Sequence, residues 1–328
     1  MIVKLKPALA VSQDQAQAIV DRVAPGRHMA CVSEMRQGEI SAVFEIALAD
    51  GPPAFVLKVY PDSMRWKMQK EITVSRLMEG RLSVPVPRIV LADETGSLFG
   101  LNFLVMTRLD GHSVIDLERD LAPSDVAATY RQMGEALREI HGIVLDSFGY
   151  IGPQGVVTPF ASNRAYMASQ FDKKLGGLAE YGAPETLARQ LRDFVDRRSP
   201  LLDGCAKPSL CHYDFHTGNL LAERKDGAIK LSGILDLENA IAGDPLMDIA
   251  KTLSYSVRGD AAKRAALLDG YGPIGRTDWQ EALQLYEFYG FIELWCWWKL
   301  IGDHQRAKHI MPDLSASLRA NSSRRSVA

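Results

Sequence analysis

The sequence predicts an α+β protein of two lobes, a small antiparallel-sheet lobe followed by a larger, mainly helical one. Three observations carry this. The 328 residues, 47% of them hydrophobic, exceed one ordinary domain and can bury a substantial core. Strand-like runs, Ala42 to Leu48, Ala54 to Tyr60 and Leu101 to Met106, crowd the first third of the chain. From Ser124 onward the apolar residues recur at helical spacing. The expected division is residues 1–106 for the small lobe, 107–111 for a linker and 112–328 for the larger lobe.

Taken in order, Ser12 with Gln15 forms a capping-box pattern, and Ala16, Ile19, Val20 and Val23 continue it as a short amphipathic helix. Asp50-Gly51-Pro52-Pro53 reads as the turn between the first two strands, and the loop Gln37-Gly38-Glu39-Ile40-Ser41 precedes them. After Pro61, Asp62 or Ser63 can cap a helix running to about Met78, which Val84-Pro85-Val86-Pro87 ends. Thr107 to Gly111 is the linker. Val126, Tyr130, Met133, Leu137 and Ile140 make one apolar stripe, closed by Gly142. Two short strands are expected around Leu220 and Leu231, followed by Asp244 as an N-cap and Pro245 as a first helical residue. Beyond about Pro312 a Ser/Arg-rich, frayed tail is expected.

Composition excludes several classes. A formal charge of -2 from 38 basic and 40 acidic residues offers no electrostatic footprint for nucleic acid or an anionic membrane. The apolar runs Phe99 to Met106 and Phe291 to Trp298 fall far short of the roughly 20 residues of a membrane span. Lys4, Lys6 and Pro7 stand where a signal peptide would be apolar, so a cytoplasmic protein is expected. Cys31, Cys205, Cys211 and Cys296 form no C-x-x-C pair, which argues against a disulfide framework or a structural zinc site.

The chemistry concentrates in Leu210 to Leu221, where His212 and Asp214 form H-x-D and Asn219 follows five residues after the Asp. This is the catalytic-loop pattern of kinases: phosphoryl transfer needs a carboxylate near the attacking hydroxyl and ligands for the cation that neutralises the phosphates. Asp214 and Asn219 suit those roles. Asp226-Gly227 is a strong two-residue hairpin signal; it pairs Lys225 with Ala228 and, continued, places Asn219 opposite Ile234. Asp236 then lies roughly 7 Å further along, so that two oxygen ligands converge as Mg²⁺ prefers.

In the small lobe, Lys58 is a lone ammonium in the apolar run Phe55 to Tyr60 and needs a counter-charge if its face is covered. Glu71 interrupts the helical stripe Met64, Met68, Ser75, Met78 and is the expected partner. The Gln37 to Ser41 loop would cover the phosphates with a single glycine.

Together these residues resemble the aminoglycoside phosphotransferase and choline kinase-like family of small-molecule kinases, over roughly residues 30 to 300. The resemblance implies a bilobal, protein-kinase-like fold. In it Asp214 is the catalytic base, His212 supports the loop, Asn219 and Asp236 bind Mg²⁺, and Lys58 paired with Glu71 contacts the phosphates of ATP or GTP. It also places Ser41 in the phosphate loop and makes Thr107 and Leu109 the hinge groups that meet the purine. An aminoglycoside or other antibiotic is the first expected acceptor, with a resistance role; choline-like amines, macrolides and sugars are the others. Tyr213, where many antibiotic kinases carry glycine, departs from the pattern.

Rival readings are a metal-dependent hydrolase built on His212, Asp214 and His216, and a pseudokinase, although no Lys, Asp or Asn of the pattern is missing. Trp295, Trp297 and Trp298 are either core or a substrate wall. Glu238, Glu293 and Asp303 are candidate acceptor contacts. No phosphate-binding G-x-x-x-x-G-K-[ST] and no dinucleotide-binding glycine pattern is present.

Overall fold

A computed structural model describes residues 6–35, 40–52 and 54–320. Helix α1 (Gln13–Val23) opens with the predicted capping box: Ser12 accepts from Gln15 N–H, and the Gln15 side chain accepts from the Ser12 amide. Strands β1 (Met29–Met35), β2 (Ala42–Leu48) and β3 (Phe55–Tyr60) follow, then helix α2 (Arg65–Met78), β4 (Ile89–Asp93) and β5 (Asn102–Thr107). They form one antiparallel sheet in the order β1-β2-β3-β5-β4. Neither Asp62 nor Ser63 caps α2; both lie in a 3-10 turn, Asp62–Met64, that leads into it.

The period of two along β3 decides what each face does. Phe55, Leu57 and Val59 point to one side, where with Phe44, Ile46, Phe103 and Val105 they close over Ala16, Ile19 and Val20 of α1. Lys58 and Tyr60 therefore point to the other, beneath α2, where Tyr60 and Leu104 meet Met68. A strand buried on both faces has nowhere to expose an ammonium.

The larger lobe contains β6 (His112–Ser113), α3 (Val114–Leu117), α4 (Pro123–His141), β7 (Gly149–Gly152), β8 (Gly155–Val156), α5 (Asn163–Glu180) and α6 (Glu185–Arg198). It continues with β9 (Ser209–Cys211), β10 (Leu220–Lys225), β11 (Ala228–Ile234), β12 (Ile241–Gly243), α7 (Leu246–Thr252), α8 (Ala261–Tyr271), α9 (Trp279–Leu300) and α10 (His304–Ala320). The predicted stripe on α4 is buried at Tyr130, Met133, Leu137 and Ile140, in one core with α7, α8 and α9. Helix α2 belongs to both lobes, since its Val74 and Met78 reach this second core. Where α4 crosses α8, a Cβ on Gly134 would lie 2.1 Å from the Leu267 carbonyl oxygen, so only glycine permits the approach. Among the described residues no helix is long and apolar enough to cross a membrane.

Three further expectations need correcting. The chain past Pro312 is not frayed up to Ala320, because α10 continues through that proline; residues 321–328 lie outside the described residues. Thr107, expected in the linker, is the last residue of β5. The Asp226-Gly227 hairpin does pair Lys225 with Ala228, but a bulge between Leu221 and Ala222 puts Ser232 out of step. Ile234 accordingly faces Leu220, not Asn219, and Leu235 N–H donates to the Asn219 carbonyl. One extra residue in a strand shifts everything beyond it by one. Asp236 is thus brought one residue nearer to Asn219 than simple counting gives.

Candidate active site

The loop between β9 and β10 is held from below by α7. Asp248, fully buried, accepts from the backbone N–H of His212 at 2.7 Å and of Tyr213 at 2.6 Å, and meets His141 Nε2 at 3.0 Å. Lys251 Nζ donates to the Tyr213 carbonyl at 2.8 Å and the Thr252 hydroxyl to that of Phe215 at 2.8 Å. These anchors hold Tyr213 at a φ of 61°, a left-handed turn that a non-glycine residue adopts only when its surroundings impose it. Tyr213 can replace glycine here because its ring is also held, by its hydroxyl on Glu293 and by Lys251 above its face.

His212 joins the loop to the hairpin. Its Nδ1 accepts from Asp214 N–H and its Nε2 lies 2.9 Å from the Leu235 carbonyl, which assigns the Nε2–H tautomer. Both ring nitrogens are spent, and His216 Nδ1 accepts from Gly218 N–H, so the metal triad of the hydrolase reading does not assemble.

The Asp214 carboxylate is oriented by two amides. Asn219 Nδ2 donates to its Oδ2 at 3.3 Å and to its carbonyl at 3.0 Å, and Asn239 Nδ2 donates to the same Oδ2 at 3.2 Å. Oδ1 faces His216 at 3.8 Å and Lys251 at 3.9 Å. Burial lowers the His216 imidazole, with Asp214 opposing it in part. Lys251 is raised above the usual lysine range because Glu293 and Asp214 outweigh its burial.

Asp236, at a φ of 63°, ends the hairpin with its carboxylate 37% exposed and Oδ1 3.1 Å from Lys58 Nζ. Lys58 also reaches Glu71 at 2.8 Å, the predicted pair, and Glu238 at 3.2 Å. Burial opposes its charge, yet Glu71, Asp236 and Glu238 raise it well above the ordinary range. Glu71 is raised by burial against the pull of Lys58, and the Tyr60 hydroxyl donates to it.

Of the predicted site residues, the structure brings Lys58, Glu71, Asp236, Asn219 and Asp214 into one connected network. Ser41 is buried at the start of β2, two residues from Val43, the cross-strand partner of Lys58; Gln37, Gly38 and Glu39 lie outside the described residues. Thr107 and Leu109 stand apart from the network at the junction of the lobes, where Thr107 N–H donates to Arg88 O and Leu109 packs on Gly233. Tyr60, Lys67, Glu238 and Asn239 join the network without having been predicted in these positions. Tyr60 had a signal, since it shares the strand face of Lys58; Asn239 had none, because its contact depends on the turn Leu237–Asn239. Of the three tryptophans, Trp295 is buried against Tyr181, which fits the core reading, and Trp298 lies beneath Arg306.

A two-lobed kinase-like fold with a loop carboxylate, a hairpin-end carboxylate and a strand lysine defines a phosphotransferase. The chain belongs to the APH phosphotransferase enzyme family, whose model matches residues 32–285. Curated relatives are the acyl-CoA dehydrogenase family member 11 of rat, 27% identical over 68% of this chain, and of human, 24% identical over 67%. The chain spans only 28% and 27% of the length of those proteins. A thermostable mutant of the aminoglycoside phosphotransferase APH(4)-Ia superposes with a TM-score of 0.71 at 17% identity, over 94% of this chain and 99% of that one. Its ternary complex with ADP and hygromycin B, in a further variant, gives 0.70 at 17%, over 93% and 97%. The GDP complex of aminoglycoside 2'-phosphotransferase-IIIa gives 0.66 at 14%, over 94% and 99%.

Proposed function

We propose that the chain transfers the γ-phosphoryl group of ATP or GTP to a hydroxyl of a small molecule, with Asp214 as the base. The observation that carries this reading is the orientation of one carboxylate: Asn219 and Asn239 fix Asp214 Oδ2, which leaves Oδ1 to meet a hydroxyl. The hydroxyl oxygen attacks the γ-phosphorus, its proton passes to Asp214, and the bond to the β–γ bridging oxygen breaks to release the nucleoside diphosphate. Lys251 and His216, beside Oδ1, keep that carboxylate in place as the proton arrives.

The residues fit a bound magnesium. Asp236 already faces a cation in Lys58, and Asn219, having turned its Nδ2 toward Asp214, presents its Oδ1 on the opposite edge. When bound, the ion would neutralise the phosphate oxygens. Lys58, held by Glu71, would contact the α- and β-phosphates, with Ser41 near them. Since Thr107 N–H is spent on Arg88, a purine would meet Thr107 through its carbonyl and Leu109 through its backbone.

The solved neighbours include complexes with ADP and hygromycin B, which supports nucleotide use and keeps an aminoglycoside among candidate acceptors beside choline-like amines and sugars. The test is phosphate transfer from Mg-ATP and Mg-GTP to a panel of such alcohols. Transfer that survives Asp214→Asn unchanged would refute the assignment.

A further inference from the structure

The three carboxylates expected to meet an acceptor, Glu238, Glu293 and Asp303, are already matched. Glu238 is bound by Lys58 and Lys67. Glu293 is bound by Lys251 and Lys174 and by the Tyr213 hydroxyl, which together hold it below the usual carboxylate range against the effect of burial. Asp303 accepts from Arg306 N–H at the start of α10. All three expected acceptor contacts are therefore quenched from within. On the wall of the 160 Å³ cavity beyond Lys251, burial raises Glu287, with Arg264 the opposing charge.

The lysines are not matched in the same way. Lys70 of α2 is 2% exposed, and among the described residues its ammonium makes no ion pair and no hydrogen bond, Glu238 acting on it only from a distance; it lies 5.1 Å from the Trp66 ring and 5.3 Å from that of Tyr150 on β7. Cation–π contact offsets only part of the cost of burying a charge. Burial and then Lys67 bring the group down to about 7. Lys173 of α5 approaches the same Tyr150 ring at 5.9 Å. Lys67, one turn before Lys70, donates to Asn239, whose other end holds Asp214. Lys67, Lys70 and Lys173 thus gather at the α2–β7 junction, and Asn239 links the first of them to the base.

We propose that the acceptor is a hydroxylated anion whose carboxylate or phosphate pairs with Lys70 at the α2–β7 junction, flanked by Lys67 and Lys173, while its hydroxyl reaches Asp214. This rests on the phosphotransferase reading and narrows its substrate class: at this junction a polycation would meet Lys67, Lys70 and Lys173.

The test is calorimetric binding to the full chain saturated with Mg-AMP-PNP. The probes are 4-hydroxyphenylacetate for a carboxylate, glycerol 1-phosphate for a phosphate, and kanamycin and choline for cations. At least one anion should bind, and which one does identifies the group. Lys70→Met should weaken it about tenfold or more while Lys70→Arg retains it, with Mg-AMP-PNP affinity unchanged in both and a thermal midpoint for Lys70→Met no lower than that of the wild type. Binding of kanamycin or choline with neither anion bound at about 10 mM, or anion binding unmoved by Lys70→Met, would overturn the proposal. Failure to bind Mg-AMP-PNP at all would instead count against the phosphotransferase reading, and anion binding in its absence would leave the Lys70 site standing.

Discussion

Asn239 joins Lys67 to Asp214: its Oδ1 accepts from Lys67 Nζ at 2.6 Å and its Nδ2 donates to Asp214 Oδ2 at 3.2 Å. One amide therefore transmits the position of α2 to the candidate base. Asn239→Ala should lower kcat by about 10-fold to 100-fold with little change in nucleotide KM, because it loosens orientation and leaves the phosphate contacts in place. Steady-state kinetics with a turned-over acceptor decide it, and an unchanged kcat would mean that Asn219 alone suffices.

Asp214→Asn keeps the shape of the side chain and removes its proton affinity. Turnover should fall by about 100-fold or more, with Mg-nucleotide binding retained. Single-turnover transfer measured on the two proteins is the check.

Asp236→Ala removes a carboxylate that is already 37% exposed, so the fold should survive. Magnesium-dependent nucleotide affinity should be lost. Calorimetry with Mg-AMP-PNP and with metal-free nucleotide separates the two contributions; equal affinities for mutant and wild type would remove Asp236 from the metal site.

Lys58→Met leaves Glu71 and Glu238 buried without their shared cation. Removing one partner of a buried pair costs about 3–5 kcal/mol, and the double variant Lys58→Met/Glu71→Gln should recover part of it. Urea denaturation measures both.

Glu293 is held below its ordinary value of 4.5 by Lys251 and Lys174 against the opposing effect of burial. A carboxylate depressed on folding contributes stability that is full above the unfolded value and fades as pH falls through the folded one. Glu293→Gln should therefore flatten the acid limb of the stability–pH curve below about 4.5 and spare the alkaline side. Thermal midpoints between pH 3 and 8 test this, and a parallel shift across the range would contradict it.

The lobes, the strand lysine and the loop were legible because local rules governed them. Ser12 capped α1 as its neighbours required, and Lys58 needed Glu71 because no face of β3 is open to water. The register beyond the hairpin is not legible at Ser232, since a bulge costs little locally and leaves no composition signal. Lys67, Asn239 and Lys70 were invisible for another reason: they meet only when α2 is laid against the turn Leu237–Asn239 and strand β7, and no spacing along the chain encodes that docking. The tail misleads because Pro312 and the serines read as an ending, whereas α10 runs through them to Ala320.

Helix α2 packs Met68 under the sheet and Val74 with Met78 in the core of the larger lobe. Neither lobe can melt without stripping the helix from the other and exposing its apolar side chains. Heating should accordingly give a single calorimetric transition with equal van't Hoff and calorimetric enthalpies, although the chain is bilobal.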